Sequence, residues 1–378
     1  MRVLVINYEF PPLGGGAGNA TACLTREWAA SGHEVEIVTG GFRGLPAREI
    51  VGGCLVRRLS SPRRRQGQCS VVEMMVFSML ACLAAFRVKK PDVAVAFFSI
   101  PSGPAAWLLN KIRGVPYVVS LRGGDVPGFD KHNMATMHAL TNPVTTMIWR
   151  SAAAVVGNSG GLCQLARNFM PDLDVPEIPN GVDAARFSPR EPAAAERQKP
   201  VTLLFVGRLN AQKGVGDLLN ALALLPPGWR LRVVGDGPDR VALERQSAQL
   251  GIAEHVIFHG WAQRDELPAI YNAADIFVFP SHDEGMSNAV LEALASGLPV
   301  VATRIAGNEQ LVREGENGAL VPPANPRAFA NALAPFLTDT TLRLRMGNAS
   351  RALAVAQFSW ATAAAQYDAL FQKIVTSH

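Results

Sequence analysis

Short runs of apolar residues alternate with longer segments of helical periodicity along the whole chain. Val3 to Asn7, Glu34 to Thr39, Val93 to Phe98, Tyr117 to Leu121 and Ala154 to Gly157 are the runs of the first half. Thr202 to Val206, Leu231 to Val234, Val256 to Phe258, Ile276 to Phe279 and Pro299 to Thr303 are those of the second. Runs of this kind suit strands covered on both faces, and strands separated by helical segments join into parallel sheets flanked by helices. The alternation lapses over Pro189-Arg190-Glu191-Pro192 and the residues up to Pro200, then restarts at Val201-Thr202-Leu203-Leu204-Phe205-Val206-Gly207. The pattern predicts an α/β protein of two doubly wound, Rossmann-like domains facing each other across a cleft. Residues 1–190 form the first domain, 200–357 the second after a linker, and 358–378 continue as a helical segment. In open sheets of this class, ligands bind beyond the carboxyl ends of the strands.

A chain of 378 residues can bury two such cores, and 48% hydrophobic with 18% charged residues is the balance of a soluble globular protein. Cys23, Cys54, Cys69, Cys82 and Cys163 have no metal-type spacing and suggest no disulfide framework, so a reducing cytoplasm is the expected location. Met1 leads straight into Val3-Leu4-Val5-Ile6 without the pattern of a secretion signal. The formal charge of +5 is uneven: residues 1–190 carry 20 Lys and Arg against 13 Asp and Glu, and the remainder 16 against 18. Much of the excess, including Arg57, Arg58, Arg63, Arg64, Arg65, Arg87, Lys89 and Lys90, surrounds the apolar stretch Met74 to Phe86. That stretch is shorter than the roughly 20 residues a bilayer span takes. It fits either a core helix between solvated charges or an amphipathic helix lying on the inner, anionic face of a membrane. The basic cluster has no interleaved aromatic residues and does not suit nucleic acid.

The most informative chemistry surrounds Glu284-Gly285-Met286-Ser287-Asn288-Ala289-Val290-Leu291-Glu292. Ser287 is a natural N-cap, Ala289, Val290, Ala293 and Leu294 share one helical face, and Gly297 with Pro299 ends the helix. The free N–H groups at such a helix start favour an anion such as a diphosphate. Glu284 at the mouth of the turn and Glu292 inside the helix can accept hydrogen bonds from hydroxyls at two ends of one ligand, a layout suited to a sugar nucleotide. Gly207-Arg208-Leu209-Asn210-Ala211-Gln212-Lys213-Gly214 also follows a strand. Arg208, through a forked contact, and Lys213, as a point charge, can neutralise a diphosphate. The loops Gly14-Gly15-Gly16 and Gly235-Asp236-Gly237 read equally well as ligand loops or plain turns. Neither the glycine spacing after the first strand nor the end of the second strand fits a nicotinamide dinucleotide site. Asp172-Leu173-Asp174 lies in a proline-flanked polar turn and His132 and His138 lack ligand spacing, so no metal site is expected. Ser281, His282 and Asp283 are consecutive, which a nucleophilic relay cannot use.

In order along the chain, several motifs resemble the retaining glycosyltransferases of family 4, which have the GT-B fold. They are the Gly14 to Gly16 loop, Pro179-Asn180-Gly181-Val182-Asp183 with Phe187 and Pro189, Gly207-Arg208-Leu209 with Lys213-Gly214, Gly235-Asp236-Gly237, Pro280-Ser281, the Glu284/Glu292 pair, and Asn317-Gly318 with Leu320. Phe358-Ser359-Trp360 and the helical pattern to Ile374 resemble that family's terminal helix, which crosses back onto the first domain. The resemblance implies an acceptor-binding first domain and a nucleotide-sugar-binding second domain. It implies that Arg208 and Lys213 hold the donor diphosphate, that Glu292 binds the ribose, and that Glu284 contacts the transferred sugar. Gly15, Gly16, Gly207, Gly237 and the backbone of Gly285, Met286, Ser287 and Asn288 would complete the donor site. The reaction implied is retaining, metal-independent transfer of a hexose or N-acetylhexosamine from a UDP- or GDP-sugar to a glycan or lipid-linked acceptor, with no cofactor. Where many relatives carry His-Gly-x-Asp, this chain reads Arg122-Gly123-Gly124-Asp125. Arg122 in the histidine's place suggests an acceptor bearing phosphate, and Asp125 remains to orient acceptor or sugar. Ala306-Gly307-Asn308-Glu309 stands where relatives often show two glycines. The rival readings are an epimerase or hydrolase on the same scaffold and a protein that only binds a nucleotide sugar.

Overall fold

The computed structural model describes residues 1–66, 69–129, 131–189 and 200–377, with the backbone alone for 131–135. The linker expected over 189–200 falls mainly outside the described residues. The chain divides into two compact units, Met1–Gly181 with Trp360–His378, and Val182–Ser359.

The first unit runs β1 (Arg2–Ile6), α1 (Gly16–Ala30), β2 (Glu34–Gly40), β3 (Arg48–Val51), β4 (Cys54–Leu59), α2 (Val71–Ala85), β5 (Val93–Phe97), α3 (Gly103–Arg113), β6 (Tyr117–Ser120), α4 (Lys131–Ser151), β7 (Ala154–Val156) and α5 (Gly160–Phe169). The second runs β8 (Val201–Val206), α6 (Val215–Leu222), β9 (Trp229–Val234), α7 (Arg240–Gln249), β10 (Val256–Gly260), α8 (Leu267–Asn272), β11 (Ile276–Phe279), α9 (Asn288–Ala295), β12 (Val300–Thr303), α10 (Ala306–Glu309), β13 (Gly318–Val321), α11 (Pro326–Thr338) and α12 (Thr340–Gln357). The last helix, α13 (Trp360–Thr376), belongs to the first unit.

In the first unit seven strands take the order β3-β4-β2-β1-β5-β6-β7, all parallel except the β3–β4 hairpin. Alternate residues of β1 feed opposite cores. Leu4 and Ile6 meet α2, α3, α4 and α5 on one face, while Val3 and Val5 meet α1 and α13 on the other. Trp28 of α1 is fully buried against Tyr367 and Phe371 of α13, with ring centroids 5.5 and 5.3 Å away, which ties the end of the chain to its beginning. In the second unit the order is β10-β9-β8-β11-β12-β13, with every pairing parallel.

Three strands escape the apolar-run criterion. β3 is mostly exposed, and β4 alternates buried with half-buried residues that include Arg57 and Arg58. These arginines pair with Glu36 and Glu49, so charge pairing does at this sheet margin what a second apolar face does at its centre. β13 begins at Gly318, where a Cβ would stand 1.9 Å from the Val300 carbonyl oxygen; close backbone approach dictates a residue that reads as a turn.

Candidate functional site

In the second unit, the loops beyond β8, β9, β11 and β12 interlock through glycine. Gly235 has a φ of +132°, and a Cβ there would lie 1.9 Å from the Gly207 carbonyl oxygen. At Gly237 it would lie 2.1 Å from the Leu209 oxygen, at Gly214 2.2 Å from that of Pro280, and at Gly307 2.5 Å from that of Gly285. These glycines let one backbone lie on another, a constraint separate from phosphate access. Polar bonds complete the assembly. Leu209 N–H donates to the Asp236 carbonyl at 3.0 Å, His282 N–H to that of Gln212 at 2.8 Å, and the Gln212 side-chain amide to that of Asp283 at 2.8 Å.

This frame brings the expected donor residues together. Lys213, at the end of the short turn Ala211–Lys213, forms an ion pair with Glu284 and sits 5.3 Å above the Phe279 ring. Ser281 Oγ lies 3.2 Å from Glu284 Oε1 and 3.0 Å from the Gln212 carbonyl oxygen. Burial and the neighbouring Arg208 guanidinium lower the Lys213 pKa to about 8, an effect that the contacting Glu284 carboxylate opposes. Arg208 itself is exposed. Helix α9 begins where the sequence predicts, with Ser287 Oγ accepting the Val290 N–H at 3.4 Å. Gly285, Met286 and Ser287 are buried and Asn288 half-buried at its mouth.

Glu292, one turn into α9, takes the Tyr271 hydroxyl on Oε2 at 3.0 Å. Burial pushes its pKa up to about 7, against the lowering by that hydrogen bond and by Arg264 and Arg186. Sequence reading missed Tyr271, Arg186 and Arg264. An apolar helix hides the tyrosine, and Arg186 reaches the Arg264 carbonyl and Asp265 carboxylate, both at 2.7 Å, only through the fold. His282, set aside as part of an unusable row, contacts Asp217 at 2.7 Å.

The remaining candidates lie in the first unit. Gly15 caps α1, which starts at Gly16, and the Gly15 N–H donates to Glu9 Oε2 at 3.2 Å. A buried carboxylate thus already occupies the loop at that amide. Asp125 accepts hydrogen bonds from Ser99 N–H (2.8 Å) and Oγ (3.1 Å) on Oδ2, and from Arg122 N–H (3.0 Å) and Gly123 N–H (3.2 Å) on Oδ1. Its geometry is that of a brace holding the loop after β6 against the loop after β5. Arg122 stacks 4.5 Å from the Phe97 centroid and donates to Asn180 Oδ1 at 2.6 Å and Ser120 Oγ at 2.8 Å. Ser120 Oγ in turn lies 2.6 Å from the Tyr367 hydroxyl of α13. The two terminal nitrogens of the guanidinium thus each reach a protein oxygen, while the buried Nε has no hydrogen-bond partner among the described residues. Among the described residues, no three His, Cys, Asp or Glu side chains gather as a metal-binding group.

Two parallel-sheet Rossmann-like units, one with paired acidic side chains beside cations at its strand ends, define a GT-B glycosyltransferase architecture. Residues 15–181 match the family description "Glycosyl transferase 4-like domain" and residues 189–353 match "Glycosyl transferases group 1". The chain is 34% identical over 396 residues to the GDP-mannose-dependent alpha-(1-6)-phosphatidylinositol monomannoside mannosyltransferase of Mycolicibacterium smegmatis, covering 96% of each chain. It is 28% identical to the glycogen synthase of Mycobacterium tuberculosis, covering 96% of this chain and 92% of that one. Sucrose-phosphate synthase from Thermosynechococcus elongatus shares the fold with a TM-score of 0.87 over 100% of both chains at 23% identity. The chain belongs to the family 4 glycosyltransferases.

Proposed function

We propose that the chain is a retaining hexosyl- or N-acetylhexosaminyltransferase that uses a UDP- or GDP-sugar and a glycan or lipid-linked acceptor. The carrying observation is the convergence of Arg208, Lys213 and Glu284 on the mouth of α9, with Glu292 one turn beyond. The nucleotide ribose donates its hydroxyls to Glu292, which Tyr271 orients. The diphosphate lies against Arg208, Lys213 and the first amides of α9, which neutralise it without a metal ion in this scheme. Glu284 then exchanges part of its contact with Lys213 for hydroxyls of the transferred sugar.

In the reaction, the C1–O bond to the diphosphate breaks and its electron pair stays on the nucleoside diphosphate. The acceptor oxygen bonds to C1 on the same face and loses its proton to the departing phosphate oxygen. Charge grows on the leaving group as the bond stretches, so Arg208 and Lys213 stabilise the transition state more than the bound donor. Asp125 and Arg122 act as positioning residues for the first-unit loops.

Arg208→Ala or Lys213→Ala lowers kcat/KM for sugar transfer by about 10²–10³ in a radiolabelled-donor assay, the usual cost of one such contact. Unchanged turnover in both variants overturns the site assignment. An NMR spectrum of the first product showing an inverted anomeric configuration overturns retention, and donor consumption that needs no acceptor supports hydrolysis or epimerisation instead.

A further inference from the structure

Helix α2 has apolar side chains on both faces. Its inner face packs Phe77, Ala81, Ala84 and Ala85 into the sheet core. Val71, Val72, Met75, Met79, Leu83 and the capping Phe86, spaced to share the opposite face, are 37–68% exposed. A solvated surface helix carries charge on that arc. Here its one acidic residue, Glu73, turns inward, where its carboxylate accepts the Ser70 N–H at 2.7 Å and the Arg64 N–H at 2.9 Å. Cations stand at both ends: Arg64 and Arg65 before the helix, Arg87, Lys89 and Lys90 after it, all exposed. From residue 61 to 91, Glu73 is the only acidic residue against six Lys and Arg.

We propose that this face of α2 docks the first unit onto an anionic lipid bilayer, with the apolar row entering the acyl boundary and the flanking cations on the headgroups. The charge pattern decides between occupants. A second copy of the chain would set like-charged clusters against each other, whereas an anionic bilayer offers an apolar layer bordered by negative charge. No helix of the described residues is long and apolar enough to cross a membrane, so the contact is one of lying on the surface.

The full chain, sedimented with vesicles, binds those rich in phosphatidylglycerol and not those of phosphatidylcholine alone, and loses binding as salt rises. Replacing Arg64, Arg65, Arg87, Lys89 and Lys90 by Gln weakens binding about five-fold per charge and removes the salt dependence. Met75→Ser with Met79→Ser weakens it at every salt concentration, while donor turnover on a soluble acceptor stays unchanged. Both variants replace exposed side chains, and their far-UV melting curves should match the parent's. Failure of the parent to bind anionic vesicles at low salt overturns the proposal, as does equal binding by the serine variant. A dimer that the serine variant dissolves, without vesicle binding by the parent, assigns the face to a second copy and also overturns it.

Discussion

Lys213 and Glu292 are each held away from the charge state they favour in water, in opposite senses. Burial and Arg208 lower the pKa of Lys213 to about 8, and burial raises that of Glu292 to about 7. If ionised Glu292 takes the ribose and protonated Lys213 the diphosphate, donor kcat/KM rises through about pH 7 and falls above about pH 8. A pH–rate profile checks this, and Lys213→Arg should carry the alkaline limb to higher pH. Glu292 also affects stability. Its folded pKa lies above the ordinary carboxylate value, so the folded state binds the proton more tightly, and stability is present at low pH and lost as pH rises through about 7. Glu292→Gln removes that loss. The variant should be more stable than the parent by about 1–3 kcal/mol at pH 8 in urea unfolding, with the difference vanishing toward pH 4. At this scale the sequence marked Arg208, Lys213, Glu284 and Glu292 as candidates because their types and spacing suit a diphosphate and two sets of hydroxyls. It did not expose Tyr271 or Glu9, whose relevance comes from a through-space bond.

The helices and loops of the second unit depend on two devices of different strength. Ser287 supplies one hydrogen bond to the start of α9, so Ser287→Ala should cost about 1 kcal/mol and lower the melting temperature by about 2–4 °C. Gly235 permits a backbone contact that no other residue allows. Gly235→Ala forces a left-handed φ and a collision with the Gly207 carbonyl, so it should cost well over 1 kcal/mol and weaken donor binding as the Arg208 loop shifts. Calorimetry with and without a nucleotide sugar separates the two, and equal, small effects would refute the packing role of the glycine. Element boundaries were legible where apolar runs were continuous, as in β5 and β11, and where Ser287 capped α9. β3 and β4 were not, because the edge strand β3 is mostly exposed and its neighbour β4 interrupts its short apolar run with Arg57 and Arg58, which the fold pairs with Glu36 and Glu49.

At the scale of the molecule, the first unit is closed by the last helix of the chain. Phe371 is fully buried against Trp28, so Phe371→Ala should destabilise that unit by about 3–5 kcal/mol. Hydrogen exchange should then show weaker protection of α1 and β1 with the second-unit sheet little changed; equal loss in both units would contradict this division. The sequence alone determined the class of the fold, since apolar runs alternating with helical periods leave few packings other than parallel sheets covered on both sides. It also marked the candidate donor-site side chains of the second unit, because charge and hydroxyl-accepting chemistry belong to residue types. Only the tertiary structure decided that Lys213 meets Glu284, that Arg122 reaches Asn180 and Ser120, and that α2 turns an apolar face outward. Those outcomes depend on which residues distant in sequence share a few ångströms, and on which face of a doubly apolar helix the sheet happens to cover. Periodicity in one dimension carries neither.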